Sequence, residues 1–153
     1  MSAPTKAANS PFTATSGQLA TFRLDGDLYG VEVEHVQEVL KSQGLTRVPL
    51  APAAVAGLIN LRGQVVTAIE LRERLGRPPR PEGTDAVVIV VRLHGEAVSL
   101  LVDSIADVVD VDAADFEAPP DTLEGQARDL IRGAYKLDGQ LLLALDVQKA
   151  VFA

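Results

Sequence analysis

The stretch GLINLRGQVVTAIEL, residues 57–71, returns 76 positions later as GAYKLDGQLLLALDV, residues 133–147. Both copies keep two glycines, a leucine, a glutamine and an alanine in register, and the other core positions stay apolar. A second pair lies upstream, where RLDG at residues 23–26 matches RLHG at residues 92–95. The order is therefore A-B-A′-B′. A repeat of this kind decides the architecture, and two copies of one unit are the simplest interpretation.

Each unit is predicted to consist of short aliphatic strands joined by tight turns that contain glycine. Residues 86–91 form a continuous apolar run, which indicates a strand buried on both faces. Residues 34–40 instead place apolar side chains at helical spacing and predict a short helix. Small strand-rich units avoid exposed edges by curling into barrels. We expect an all-β fold of two small barrels, each with about five strands, packed side by side around a shared core.

The expected boundaries follow from composition. Residues 1–18 are rich in Ala, Ser, Thr and Pro and predict a mobile tail ahead of an ordered region over 19–153. The proline-rich stretch at residues 77–83 predicts a joint between the copies. The first barrel is thus expected over residues 19–82 and the second over residues 83–153.

Composition also excludes several function classes. The net charge of −7 disfavours nucleic acid as a partner, because an acidic surface repels phosphate backbones. The chain has no cysteine and two isolated histidines, so no metal site or other cofactor is expected. No phosphate loop or nucleophile with a base is present, which argues against an enzyme. No apolar run approaches the roughly 20 residues of a membrane span, so we expect a cytoplasmic protein without direct membrane insertion.

Several separated motifs, in the right order over residues 19–150, resemble the CheW family of bacterial chemotaxis coupling proteins. They are residues 57–66, Ile69-Glu70-Leu71-Arg72, Tyr29-Gly30-Val31, Val36-Gln37-Glu38-Val39, Leu101-Val102-Asp103, Lys136-Leu137-Asp138-Gly139 and Leu145-Asp146. The resemblance implies two five-stranded barrels of Src-homology-3-like topology. It also implies a non-catalytic adaptor at membrane-associated receptor arrays. Such an adaptor binds the cytoplasmic tip of a chemoreceptor (a methyl-accepting chemotaxis protein) and the regulatory domain of a CheA-type histidine kinase.

The repeat serves as a control for choosing functional residues, because a residue kept in both copies is expected to be structural. Arg62 aligns with Asp138, so the hairpin turn requires the glycine that follows but not the arginine. An arginine presents a planar fork of donors suited to carboxylates at interfaces. The family resemblance places this arginine in a receptor-binding groove between the barrels.

The predicted receptor-binding residues are Arg62, Val36, Glu38, Asn60, Ile105 and Val108. Core packing and the groove are both open for Val36 and Ile105, whereas core packing is favoured for Val108. The alternative for Glu38 is a solvated face. Gly57 is a predicted kinase-binding residue by family resemblance only, and its recurrence as Gly133 favours a backbone requirement.

Three alternatives to the adaptor remain open at this point. The chain could be a barrel that binds a small apolar ligand, although barrels of this size are normally filled by side chains. It could also be a scaffold in another kinase pathway, or an enzyme whose site is not recognisable from sequence.

Overall fold

The computed structural model describes residues 17–41, 44–123 and 125–152. Most of the predicted tail, residues 1–16, lies outside the described residues. Its last two positions, Gly17 and Gln18, belong to the first strand, so the ordered region begins earlier than expected.

The described part of the chain is built mostly of strands, and the expected all-β class is confirmed. The first repeat contains β1 (Gly17–Leu24), β2 (Asp27–Glu32), β3 (Val36–Leu40), β4 (Leu45–Thr46), β5 (Val55–Leu61), β6 (Gln64–Glu70) and helix α1 (Leu71–Arg74). The second contains β7 (Val87–Leu93), β8 (Glu96–Val102), β9 (Ser104–Val111), β10 (Phe116–Glu117), helix α2 (Gly125–Leu130), β11 (Ile131–Leu137), β12 (Gln140–Leu145) and helix α3 (Val147–Phe152). Short 3₁₀ turns lie at Val33–His35 and Ala113–Asp115.

The strands form two six-stranded sheets, rather than the five strands expected for each unit. The first sheet has the order β10-β11-β12-β2-β1-β9 and the second the order β4-β5-β6-β8-β7-β3. Strands β1 to β6 correspond in order to strands β7 to β12 of the other repeat. Exchanging each strand with its equivalent converts the first strand order into the second. The duplication inferred from the sequence is therefore present in the strand pairing.

The two repeats exchange their hairpins between the sheets. The β1–β2 hairpin pairs with the second repeat, through β9 and parallel to β12, and the β7–β8 hairpin pairs with the first, through β3 and parallel to β6. The sheets therefore do not coincide with the sequential division at residues 82 and 83. The reason is local: the three-residue turn after β2 and the single residue after β8 turn the chain across to the other sheet.

Three clusters of buried side chains hold the sheets together. A large shared core lies between the sheets and takes residues from both, including Phe22, Tyr29, Ile89 and Leu100. A smaller cluster around Leu142 packs within the first sheet, and one around Val88, Val90 and Leu101 packs within the second. Strand β7 alternates between the shared core and the second sheet's own cluster, which confirms that it is buried on both faces.

The predicted helix over residues 34–40 is wrong, because this segment is a 3₁₀ turn followed by strand β3. A β-bulge between Val36 and Glu38 explains the error. Val36 pairs with Val91 and Val39 pairs with Ile89, and both partners face the shared core. The bulge thus puts residues three apart on one face, a spacing that otherwise indicates a helix.

Candidate protein-interaction surface

Arg62 occupies the turn between β5 and β6 in an unusual backbone conformation. Its φ is 52°, and that of Gly63 is 86°. Two consecutive positive φ angles are typical of a type I′ turn, which favours Asn or Asp rather than Arg at its first position. The side chain of Asn60 stabilises the turn, since its Oδ1 accepts a hydrogen bond of 2.9 Å from the Gly63 amide. The structure therefore gives Asn60 a clear local role beside the arginine.

The Arg62 guanidinium and the Glu38 carboxylate form a two-pronged ion pair. Nη1 of Arg62 donates to Oε2 of Glu38 at 2.7 Å, and Nη2 contacts Oε1. Glu38 lies on the edge strand β3, and Arg62 on the β5–β6 turn near the other end of the same sheet. The contact is possible because the sheet curls. The structure thus brings together two residues that were predicted to share a site.

The two partners differ in exposure. The side chain of Arg62 is 72% exposed and that of Glu38 is 18% exposed. The hydrogen bond from Arg62, together with its charge, lowers the pKa of Glu38, and the same bond raises the pKa of Arg62. The pair therefore stays ionised at neutral pH. Arg62 uses two of its five N–H donors on Glu38, and the remainder face solvent where a partner can reach them.

Ile105 and Val108 lie on β9, the edge strand of the first sheet. Ile105 pairs with Phe22 and Val108 with Ala20, with a bulge between the two pairs. Phe22 and Ala20 both pack on the shared core, so Ile105 and Val108 lie on that face as well. They are 41% and 56% exposed. The preference for a core role at Val108 is therefore wrong.

Strand β3 repeats this arrangement in the second sheet. Val36 is half-buried against the shared core, in line with its predicted packing role, and its predicted receptor role stays a prediction. Val39, its neighbour on that face, is 44% exposed. Val39 aligns with Val108, yet it was not among the predicted site residues. The repeat alignment could have found it, but the mistaken helix hid its outward position.

The chain matches the family model for the CheW-like domain over residues 18–151. It belongs to the CheW family. Two relatives, each called chemotaxis protein CheW, come from Treponema pallidum and Rhizobium meliloti. The first is 31% identical over 86% of this chain and 80% of the relative, and the second 30% over 85% and 84%. The crystal structure of the scaffolding protein TtCheW from Thermoanaerobacter tengcongensis covers 86% of this chain and 89% of its own, with 29% identity and a TM-score of 0.75.

Membership of the CheW family confirms the interpretation of the chain as a non-catalytic adaptor in chemotaxis signalling. Among residues 17–41, 44–123 and 125–152, no helix has the length and apolar character needed to cross a membrane.

Gly57, the predicted kinase-binding residue, has a structural explanation in this CheW-family fold. It is buried, and a Cβ built on it would lie 2.3 Å from the backbone oxygen of Thr46 in strand β4. At Gly133 a Cβ would lie 2.6 Å from the backbone oxygen of Glu117 in β10. Both glycines permit the close approach of a short edge strand. A kinase contact here would have to be made by neighbouring residues.

One group of side chains has the composition of a metal site. Carboxylate and imidazole atoms of Glu32, Glu34 and His35 lie within 4.8 Å of one another. Arg132 already lies 3.6 Å from the Glu32 carboxylate and His35 lies 3.4 Å from it. These contacts compete with a cation for Glu32, and the arrangement is explained as an ion-pair cluster.

Proposed function

We propose that this protein couples chemoreceptors to a CheA-type histidine kinase in the cytoplasm, at membrane-associated receptor arrays. In this role it binds the cytoplasmic tip of a chemoreceptor on one face and the regulatory domain of the kinase on another. The family supports a chemotaxis adaptor, and the identity of the two partners is the proposed step.

The observation that carries the receptor assignment is the Glu38–Arg62 pair. The aligned residues in the second repeat are Asp107 and Asp138, which are both acidic and cannot form such a pair. A surface arginine that only one repeat carries, in a disfavoured turn conformation and held by a carboxylate, is better explained by binding than by folding.

We place apolar side chains from both edge strands on the same receptor surface. They are Val36 and Val39 from β3 and Ile105 and Val108 from β9. Both pairs lie on the faces that meet at the shared core, so the two strands flank the junction between the sheets. Exposed aliphatic side chains on β3 and β9, together with an arginine that Glu38 of β3 holds, suit the tip of an amphipathic helical bundle, since apolar contact contributes affinity and the arginine fixes orientation.

The kinase contact belongs on a separate surface, around strand β4 and the loop that leads to β5. Thr46 covers Gly57, and the following loop exposes Val48 and Leu50. Leu50 is fully exposed at a positive φ of 64°, which is rare for leucine and typical of residues held for a binding role. This surface is continuous with the predicted kinase residue.

The test is the charge reversal Arg62→Asp, with Asp138→Arg as the matched control in the other repeat. We expect Arg62→Asp to weaken binding to a receptor-tip fragment by about tenfold or more, because it removes donors and faces Glu38 with a like charge. Asp138→Arg should leave that binding unchanged. Neither variant should alter binding to the kinase regulatory domain by more than about twofold.

Full receptor binding by Arg62→Asp would remove this arginine from the site. Melting temperatures measured on the same samples separate binding from folding. Aspartate tolerates the left-handed turn conformation better than arginine does, so a large fall in melting temperature would show that Arg62 is structural.

The alternative of a small apolar ligand inside a barrel has less support. The space that the second sheet curls around contains Ile59, Ala68, Val88 and Val90. The space that the first sheet curls around contains Leu142 and its neighbours. The cleft beside the second cluster, which Ile59 and Val88 help to line, is also lined by Glu70, Arg80 and Asp85, and these charged side chains do not suit an apolar ligand.

A further inference from the structure

Asp103 stands at the point where the chain leaves one sheet for the other. It is the single residue between Val102, the last of β8, and Ser104, the first of β9. Strand β8 belongs to the second sheet and β9 to the first. Anything that fixes Asp103 therefore fixes the start of the edge strand that carries Ile105 and Val108.

Four groups hold this residue. Arg72 donates from Nε to Oδ1 of Asp103 at 2.9 Å and from Nη2 to Oδ2 at 2.6 Å. Arg80 donates to Oδ1 at 3.2 Å, and the Asp25 amide donates to Oδ2 at 2.8 Å. The backbone amide of Asp103 donates to the carbonyl of Arg23 at 3.1 Å. Asp103 thus hydrogen-bonds to the β1–β2 hairpin of the first sheet, to helix α1 after β6 of the second sheet, and to Arg80 of the proline-rich connection.

The partners of Asp103 are themselves well held. Arg72 is 6% exposed, and its Nη1 donates to the carbonyl of Pro78 at 2.8 Å. Arg80 makes a second two-pronged pair with Glu70, at 2.7 and 3.1 Å. Arg72 is too buried to offer a partner protein much surface. Its pair with Asp103 can therefore affect binding only through strand β9, which starts directly after Asp103.

The repeat alignment shows why this pair matters for β9. Strand β3 is held at its middle by Glu38 and Arg62. The aligned residues in the other repeat, Asp107 of β9 and Asp138 of the β11–β12 turn, are both aspartates. Strand β9 is held at its start by Asp103 and Arg72, whereas the residues of the other repeat that align with them are Glu34 and Gln148. Strands β3 and β9 therefore each have one two-pronged arginine–carboxylate anchor, and the two anchors lie at different points along their strands.

We propose that Asp103 and Arg72 are positioning residues that hold strand β9, and with it Ile105 and Val108, in the receptor-binding arrangement. This inference rests on the proposed function for its binding consequence, but not for its structural one. On edge strand β9 the main-chain ladder reaches only β1, and the Asp103 anchor supplies the restraint that a second neighbouring strand would provide.

The experiment compares Asp103→Asn with Val88→Ala in the full-length chain. Val88 is a buried residue in the second sheet's own cluster that pairs with Leu40 rather than with a proposed receptor-binding residue, and its truncation lowers stability by creating a cavity. Two measurements are made under conditions where both variants are folded. One is hydrogen exchange of the β9 amides, and the other is binding of a chemoreceptor cytoplasmic-tip fragment.

For Asp103→Asn we expect β9 amides to exchange about tenfold faster or more, and receptor-tip binding to weaken by a similar factor. Val88→Ala should lower the melting temperature comparably while keeping both the β9 protection and the receptor-tip binding. The conservative variant Asp103→Glu should recover part of the β9 protection, since it restores the charge that Arg72 and Arg80 require.

Unchanged β9 exchange in Asp103→Asn would overturn the proposal, as would an equal loss of binding in Val88→Ala. Absence of receptor-tip binding by the unaltered protein would instead contradict the proposed function. In that case the exchange measurement would still decide whether Asp103 holds β9.

Discussion

The turns at Arg62-Gly63 and Asp138-Gly139 align in the repeat but differ in geometry. The first has positive φ at both positions, whereas in the second only Gly139, at 77°, is positive among these two residues. The second pattern is that of a type II turn, in which the first position is free of the left-handed requirement. Both turns need the second glycine. Arg62 therefore occupies a position that its own turn disfavours, a departure from turn chemistry that its contact with Glu38 and the proposed binding role would explain.

The largest expected effect tests whether the shared glycines are structural. We expect Gly57→Ala to destabilise the protein by about 3 kcal/mol, because its Cβ would lie 2.3 Å from a backbone oxygen that cannot move without displacing β4. Gly133→Ala should cost about 2 kcal/mol. Its Cβ would lie 2.3 Å from the Phe116 side chain, which can shift, and 2.6 Å from the backbone oxygen of Glu117, but Gly133 lacks the positive φ of 154° that adds strain at Gly57. Denaturant unfolding of both variants measures the difference.

Gly44→Ala is the matched control for this pair. Among the residues that the structure describes, no atom lies within 4 Å of a Cβ built on Gly44, so its substitution should change stability by less than about 0.5 kcal/mol. If Gly57→Ala unfolds like the control, close approach of β4 does not explain the glycine. The predicted kinase contact would then become the reason for it.

The second largest expected effect is the pH dependence of the stability that the Asp103 anchor contributes, an anchor that the other repeat lacks. Burial alone would raise the pKa of Asp103. Hydrogen bonds from Arg72 and the Asp25 amide, together with the charges of Arg72 and Arg80, instead lower it from 3.8 to about 2. The unfolded chain therefore binds a proton first as the pH falls. The anchor should contribute about 1–2 kcal/mol above pH 5, and this contribution should disappear as the pH falls through 4 towards 2.

Stability curves of the unaltered protein and Asp103→Asn, measured from pH 7 to pH 2, test this directly. The difference in unfolding free energy between them should shrink steadily below pH 5. A difference that is constant with pH would mean that the carboxylate's charge is not what stabilises the crossover between β8 and β9.

Much of this fold could be predicted from the repeat and from hydrophobic patterning. The duplication, the strand class, the buried strand β7 and the turn glycines all follow from local sequence. The exchange of hairpins could not be predicted, because aligned copies pair equally well within a repeat or between repeats. Only the short turn after β2 and the crossover at Asp103 decide that choice, and neither has a distinctive sequence.

The site could be predicted in part. Arg62 and Glu38 were both expected in it, and their contact follows from the curl of the sheet. Val39 was missed because a bulge in β3 imitates helical spacing. The contact of Asp103 with Arg72 and Arg80 was missed because Asp103 lies 31 and 23 residues from them in the sequence. The repeat alignment shows that Asp103 and Arg72 differ between copies, yet it does not show that they meet.

The smallest expected effect concerns a core position where the copies also differ. Ser99 of β8 aligns with Gly30 of β2 and is fully buried, between Ala68 and Val90 on the neighbouring strands. Within the described residues its hydroxyl has no hydrogen-bond partner. A buried hydroxyl without a partner costs about 1 kcal/mol or more.

We therefore expect Ser99→Ala to stabilise the protein by about 1 kcal/mol and to raise its melting temperature by about 3 °C. Ser99→Gly is the matched control. It removes the same hydroxyl but also the Cβ, and the added backbone freedom in a strand should cancel the gain. A fall in stability for Ser99→Ala would indicate that the hydroxyl is satisfied in solution, for instance by a buried water, and that the serine stabilises its copy. Stability that rises in the alanine variant but not in the glycine variant would show that this position needs the Cβ alone.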